Sequence, residues 1–152
     1  MRRFVARCVS SASLVGMLLV ISGGRVVEAQ SDALVAQLSA ALLEFEAAMT
    51  WEATDEAWPD RRDQWVAQVS RARSTADIAR GIGRLVGSMR DESVDDGFPW
   101  EWMNTPVNTV FTPAELARLL LEIERFTKWE ATDDSWEEER PEWMDKLRNI
   151  AP

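Results

Sequence analysis

Three stretches of the chain carry apolar residues at every third or fourth position, which is the spacing of one buried face of an α-helix. The members are Leu34, Leu38, Leu42, Phe45 and Met49 in the first stretch, Ile78, Ile82, Leu85 and Met89 in the second, and Leu116, Leu120, Ile123 and either Phe126 or Thr127 in the third. Before the third stretch, Thr112 can cap a helix, Pro113 suits its first position and Glu115 completes a capping box. The pattern therefore predicts three long helices.

A shorter apolar stretch follows each long one after an acidic interval. These shorter stretches contain Trp65, Val66 and Val69, then Trp102 and Met103, then Trp143, Met144, Leu147 and Ile150. Pro59, Pro99 and Pro141 stand near their starts, where the missing amide donor of proline costs least. We therefore predict a second, shorter helix after each acidic turn.

The chain contains an internal duplication. Residues 42–69 and 120–147, which are offset by 78, are identical at 12 of 28 positions, including a shared run Trp-Glu-Ala-Thr-Asp. A weaker third copy relates residues 74–80 to residues 112–118. The predicted fold class is all-α, with three tandem helix-turn-helix units of about 40 residues stacked into one helical domain. The domain covers residues 30–152, and its units are 31–73, 74–111 and 112–152.

The N-terminal residues have the organisation of a signal peptide. Arg2, Arg3 and Arg7 form a positively charged start, residues 8–21 are mainly apolar, and Val27-Glu28-Ala29 resembles a cleavage site. The apolar segment is shorter than the roughly 20 residues that a membrane-spanning helix needs. We therefore expect residues 1–29 to be removed on export, a secreted or periplasmic protein, and no transmembrane anchor after cleavage. An uncleaved anchor is the alternative.

Removal of that segment would make the chain strongly acidic. Residues 30–152 hold 13 Lys and Arg against 25 Asp and Glu, a net charge of −12. Such a charge repels nucleic acid and favours basic partners or cations, so we expect a basic protein or peptide as partner and no nucleic acid. The sole cysteine, Cys8, lies in the predicted signal peptide, so no disulfide framework is expected.

The second long helix is rich in glycine. Ala79, Gly83 and Gly87 are spaced by four and share one helix face, although an interior glycine costs up to about 1 kcal/mol relative to alanine. We expect this face to pack unusually close to the flanking long helices, so that Gly83→Leu would be strongly destabilising. A frayed or kinked helix, in which that substitution would be nearly silent, is the alternative.

Tryptophan occurs eight times, and several of its positions repeat: Trp58 and Trp65 in the first unit match Trp136 and Trp143 in the third. We expect each indole to pack between the two helices of its unit and to find a hydrogen-bond partner for its N–H group. Exposed Trp58 and Trp136 rings that stack on sugars are the alternative.

The acidic turns are the main candidate binding surface. They contain Asp55 and Glu56 in the first unit, Asp95 and Asp96 in the second, and Asp133 and Asp134 in the third. Carboxylates in a turn suit calcium. However, an EF-hand loop beginning at Asp91 would place Asp96 where glycine is needed and Trp102 where a bidentate glutamate is needed. We prefer a solvated acidic face that also caps helices, with a non-standard calcium site as the alternative.

No catalytic role is expected. Residues 30–152 contain neither Cys nor His, which removes the usual nucleophile and base pairs and the preferred zinc ligands. We predict an exported, non-catalytic interaction module without a cofactor, in which Arg62 and Arg140 tie the turns to the helices. An antagonist of a basic exported protein is one version. The alternative is a calcium-dependent structural or sugar-binding module, and the bare end of the third unit could form a dimer surface.

Overall fold

The computed structural model describes residues 14–51, 55–106 and 109–152, with side chains for 31–50, 55–90, 92–106 and 109–152. Residues 1–13, which hold the start of the predicted signal peptide and Cys8, lie outside the described residues, as do 52–54 and 107–108. The chain separates into two compact units, Met1–Ser31 and Asp32–Pro152. Across the described residues, no helix combines the length and the apolar character needed to cross a membrane.

The described secondary structure is mostly helical, so the all-α prediction is confirmed at that level. The helices are α1 (Leu14–Ala48), α2 (Trp58–Val69), α3 (Thr75–Val86), α4 (Pro113–Phe126) and α5 (Ser135–Ile150), with 3-10 turns at Asp91–Ser93 and Trp100–Asn104. Two three-residue strands, β1 (Met49–Trp51) and β2 (Trp129–Ala131), were not predicted, and they pair antiparallel with Trp51 opposite Trp129.

Two helices begin with a capping box. At α4, the Thr112 amide donates to a carboxylate oxygen of Glu115 at 2.7 Å, and the Glu115 amide donates back to the Thr112 hydroxyl at 3.3 Å. This is the start that the sequence predicts. At α3, Ser74 and Asp77 form the same arrangement. These reciprocal bonds satisfy amides that no preceding turn of helix can pair.

Apolar stripes of α1, α3 and α4 meet the tryptophans of α2 and α5 in one core. Trp65 and Trp143 are almost fully buried there. The Trp65 indole N–H donates to the Gly81 carbonyl on α3 at 2.7 Å, and the Trp143 indole N–H donates to the Ala41 carbonyl on α1 at 2.9 Å. These two indoles therefore combine apolar burial with a satisfied polar group, which anchors α2 to α3 and α5 to α1. The buried N–H groups of Trp102 and Trp136 have no partner among the described residues, so the expectation that each indole finds one is wrong for these two.

Backbone hydrogen bonds tie each acidic turn to the end of a helix from another part of the chain. The Asp55 amide donates to the Ser88 carbonyl just beyond α3, at 2.7 Å. The Asp95 amide donates to Phe126 at the end of α4, at 2.7 Å, and the Thr132 amide donates to Ala48 at the end of α1, at 2.9 Å. Carbonyls at helix ends lack intrahelical partners, so these bonds satisfy them while fixing the turns.

The shorter helices differ from the prediction at two points. The middle one is only the 3-10 turn Trp100–Asn104, whereas α5 begins at Ser135 and runs through Pro141. Helix continuation past Pro141 is favoured because Trp136 and Trp143 then lie seven residues apart on one buried face. Met49, expected at the end of the first long helix, lies in β1.

The glycine that permits close packing of α3 is Gly81, so the prediction based on Gly83 and Gly87 is wrong in its residues. A Cβ atom at Gly81 would lie 2.9 Å from the Val69 Cγ2 atom and 3.2 Å from the Leu42 Cδ2 atom. At Gly83 the nearest atom outside the helix is 3.9 Å away, on Trp102, which is an ordinary contact. Gly81 therefore lets α3 approach both α1 and α2.

Substituting these two glycines by alanine should have opposite effects. Gly81→Ala is expected to lower the free energy of unfolding by about 1 to 2 kcal/mol, because the methyl group overpacks a filled core. Gly83→Ala should raise it by up to about 1 kcal/mol through helix propensity. Chemical denaturation of both variants measures this, and equal effects would show that α3 does not pack as described.

Candidate functional site

The first acidic turn is organised by Asp55. One of its carboxylate oxygens accepts from the Ala57 amide at 2.9 Å, and the other pairs with Arg61. The amide bond and then the Arg61 guanidinium hold the pKa of the Asp55 carboxyl below its ordinary value. Glu56 lies 3.6 Å from the Arg90 guanidinium. Both carboxylates of this turn therefore have a cation beside them.

The second acidic turn is held by contacts to the short segment between α4 and β2. Val94 pairs with Thr127 as an isolated β-bridge, and the Lys128 amide donates to the Ser93 carbonyl at 2.8 Å. The Asp95 carboxylate lies 3.9 Å from the Lys128 ammonium. Asp96 is exposed, and no ion pair involves it among the described residues.

The third acidic turn caps α5. The Asp133 carboxylate accepts from the Ser135 hydroxyl at 2.5 Å and from the Ser135 amide at 3.0 Å, and these bonds hold the Asp133 pKa below its ordinary value. Asp134 occupies the N-cap position without a side-chain cap. The Thr132 hydroxyl donates to the Ala47 and Ala48 carbonyls at 3.2 Å. The turn is thus fixed at both ends.

The predicted acidic residues are brought to one end of the domain. Each turn follows one of α1, α3 and α4 in the chain, and each bonds at or just beyond the C-terminal end of a different member of that set, as described above. We call this region, with Asp55, Glu56, Asp95, Asp96, Asp133 and Asp134, the turn end. The starts of α2 and α5 lie at this end together with the C-terminal ends of α1, α3 and α4, so the negative potential of the turn end comes from its carboxylates.

Trp58 and Trp136, the predicted aromatic members of the site, lie in the core. Their exposures are 8% and 3%, and each meets the tryptophan seven residues later edge-on, with ring centroids 5.6 and 5.8 Å apart. A ring that stacks on a sugar must present its face to solvent. The structure therefore gives these two residues a packing role and leaves the carboxylates as the accessible part of the turn end.

The sequence interpretation missed two ion pairs in which the glutamate is buried and the arginine is partly exposed. The Arg62 guanidinium on α2 contacts both carboxylate oxygens of Glu46 on α1, at 2.5 and 2.7 Å, and Arg140 on α5 contacts Glu124 on α4 at 2.5 Å. Both pairs span 16 residues, and both partners recur at the 78-residue offset. The two arginines therefore tie helix to helix, and the expectation that they hold the turns is wrong.

The carboxylates of the described residues do not assemble into a metal site. No group of three or more Asp, Glu, His or Cys side chains in that part of the chain is arranged to hold a cation. The carboxylates of Asp55 and Asp133 instead accept hydrogen bonds from backbone amides at the starts of α2 and α5. This geometry suits capping and display of charge better than the six to eight oxygen ligands that calcium takes.

The comparisons with known proteins concern the first half of the chain. Residues 32–97 match a family model described as a domain of unknown function, DUF8799. The matched segment holds the first two acidic turns and the pair of Glu46 with Arg62. No curated protein and no solved structure matches the chain.

The lowered pKa of Asp133 makes a contribution to stability that depends on pH. A carboxyl whose pKa is lower in the folded chain stabilises the fold above its unfolded pKa, near 3.8, and loses that contribution as the pH falls through the folded value. Asp133→Asn keeps an acceptor for the Ser135 amide but cannot ionise. We expect the variant to melt lower than the wild type at neutral pH and this gap to close below pH 3.8; thermal melts across that range measure it.

Proposed function

We propose that this protein is an exported, non-catalytic interaction protein that binds a basic partner through the turn end. In this proposal the centre of the interface is the acidic segment, residues 130–139. It comprises the last two residues of β2, the third turn and the start of α5. Export rests on the N-terminal pattern of residues 1–29, and N-terminal sequencing of the protein from the extracellular or periplasmic fraction should then find Gln30 first.

The observation that carries this proposal is unpaired charge. Glu130, Asp133, Asp134, Glu137, Glu138 and Glu139 are all exposed. Among the described residues none of the six has a cation within 4.0 Å, whereas Asp55, Glu56 and Asp95 each have one. Six carboxylates within ten residues repel one another, and a basic partner would relieve that repulsion.

The acidic segment is also held rigidly. Buried Trp136 and Trp143 fix the inner face of α5, and the ion pair of Arg140 with Glu124 fixes that helix against α4. At the other end of the segment, Thr132 bonds the last carbonyls of α1. A preorganised surface loses little conformational entropy on binding, which favours its use as a recognition element.

A closed arrangement of three related units would explain why the turns converge. The turn amides connect the first unit to the second, the second to the third and the third to the first, and the accepting residues Ala48, Ser88 and Phe126 are 40 and 38 residues apart. The indole hydrogen bond of Trp65 likewise connects the first unit to the second, and that of Trp143 connects the third unit to the first. In this proposal the units are 31–73, 74–111 and 112–152, and the middle one has lost its second α-helix.

Partner capture with a variant in which three carboxylates of the acidic segment are neutralised tests the proposal. The triple variant Glu137→Gln, Glu138→Gln, Glu139→Gln removes three of the unpaired carboxylates without touching the core. A matched control, Asp60→Asn, Asp63→Asn, Glu122→Gln, removes the same charge from exposed positions outside the segment. Both are used as bait for proteins of the native extracellular or periplasmic fraction at low and high salt.

We expect the wild type and the control to retain basic proteins at low salt and to release them at high salt, because exposed charge pairs are screened over about 10 Å at 0.1 M salt. The 137–139 variant should retain several-fold less. Equal retention by both variants, or capture that salt does not weaken, would contradict a role for the acidic segment.

A further inference from the structure

Positive charge is concentrated in one part of this acidic chain. Residues 61–90 hold seven Arg and two Asp, whereas residues 91–152 hold six Lys and Arg against sixteen Asp and Glu. The basic part of the chain forms α2, α3 and the turn between them. A positive region within a strongly negative protein attracts anionic groups that the rest of the molecule repels.

The arginines line a groove between α2 and α3. A cavity of about 470 Å³ is bordered by Arg71, Arg80 and Arg84 together with Gln64 and Gln68. A second cavity of about 300 Å³ continues along the same two helices, shares Gln64 and Arg84, and reaches Arg61. The groove is therefore elongated, and it presents guanidinium and amide donors along its length.

Two of these guanidinium groups have no carboxylate partner in the described part of the chain and can bind a ligand. Arg71 and Arg84 are exposed, and neither has a carboxylate within 4.0 Å among the described residues. Arg80 pairs with Asp77, whose carboxylate is also committed to the capping box of α3. Guanidinium groups bind carboxylates through paired, charge-assisted hydrogen bonds, so unpaired arginines in a groove suit an acidic ligand.

Packing does not require these arginines, because the same groove is built elsewhere in the domain without them. A cavity of about 450 Å³ lies between α5 and α1, and the bond of Trp143 to Ala41 fixes it as that of Trp65 to Gly81 fixes the first. In that groove the position equivalent to Arg80 is Ala40, and the position equivalent to Arg84 is Glu44; each pair is separated by 40 residues in the sequence. At the 78-residue offset of the duplication, the position equivalent to Arg71 is Asn149.

From this comparison we infer that the α2–α3 groove is a binding site for an extended acidic peptide, whose carboxylates pair with Arg71 and Arg84. The length of the groove favours a peptide over a single small anion. Recognition of acidic motifs by clusters of arginine is an established physical mode of peptide binding. This site is separate from the acidic segment and does not rest on the function proposed above.

Binding of a fluorescein-labelled hexaglutamate peptide, followed by fluorescence anisotropy, tests this inference. Arg71→Gln with Arg84→Gln should weaken binding about tenfold or more. The control Arg118→Gln with Arg148→Gln, which makes the same charge change at exposed positions outside the groove, should stay within about twofold of wild type. Circular dichroism and thermal melts verify that both variants fold.

A gain of binding gives an independent test. Glu44→Arg with Asn149→Arg places arginines at the matching exposed positions of the α1–α5 groove, and it should raise the stoichiometry from one peptide per chain to two. Unchanged affinity in the Arg71 and Arg84 variant would overturn the inference. Inorganic phosphate or citrate that binds the groove as tightly as hexaglutamate would also overturn it, because a small anion would then suffice.

Discussion

Replacement of Trp143 by alanine is expected to lower the free energy of unfolding by about 4 kcal/mol. The side chain is 1% exposed, stacks on Phe45 with ring centroids 5.4 Å apart, and meets Trp136 edge-on. Removal of such a ring leaves a cavity that the surrounding helices fill only in part, and large aromatic truncations in cores cost roughly 3 to 5 kcal/mol. Urea denaturation followed by circular dichroism measures the loss.

The indole N–H of Trp143 can be assessed separately through phenylalanine variants. Trp143→Phe removes the bond to the Ala41 carbonyl and is expected to cost about 1 to 2 kcal/mol. Trp102 supplies the comparison, since its buried N–H has no hydrogen-bond partner among the described residues. Trp102→Phe should therefore cost clearly less or stabilise the fold. If Trp102→Phe costs as much as Trp143→Phe, the hydrogen bond to α1 is not an anchor.

Replacement of Arg140 by methionine is expected to cost about 3 kcal/mol. The variant would leave the Glu124 carboxylate, whose side chain is 1% exposed, without its cation. Removal of one partner of a buried ion pair costs roughly 3 to 5 kcal/mol, and the lower end applies here because the Arg140 side chain is 41% exposed. The loss is measured by denaturation at neutral pH.

Two companion variants show whether the unpaired charge causes this loss. Arg148→Met breaks an exposed pair with Asp145 and should change stability by no more than about 1 kcal/mol. Glu124→Leu combined with Arg140→Met removes both charges and should recover much of the loss. The position 38 residues before Glu124 holds the buried apolar residue Val86, which shows that this site can be apolar. No recovery in the double variant would contradict the explanation.

The helices could be predicted because their signals are local. The stripes ending at Met49 and Phe126 and the capping box at Thr112 are all contained within a few turns of chain. The strand pair could not be predicted, because β1 and β2 are three residues long and about 80 residues apart. Pairing of such short segments depends on helices that are already packed, and no local pattern encodes it.

Two errors concern residues whose signal was present in the sequence. Gly81 lies three residues after Ile78 and four before Leu85, so the apolar stripe itself marked it as the inward-facing glycine. The spacing of Gly83 and Gly87 suggested a face that the structure leaves half-buried or exposed. At the 78-residue offset, Glu46 corresponds to Glu124 and Arg62 corresponds to Arg140. The recurrence of both residues together indicated that they form an ion pair.

The acidic turns were predicted from composition, whereas the division of their carboxylates into paired and unpaired ones was not. Pairing depends on Arg61 in α2, on Arg90 in the segment after α3 and on Lys128 between α4 and β2. Their convergence follows from the bonds between turns and helix ends. The arginine groove was hidden for a similar reason, since the acidic net charge of the chain masks a local positive region.

Opposite charges, in the two proposals above, occupy separate binding surfaces of one helical domain. Amide chemical-shift perturbation in the ¹⁵N-labelled chain, titrated in turn with octalysine and with hexaglutamate, tests this claim most directly. Octalysine should shift the amides of residues 130–139, and hexaglutamate should shift those lining the α2–α3 groove between 61 and 87. Perturbation of the same residues by both peptides, or octalysine shifts centred outside the acidic segment, would contradict the claim.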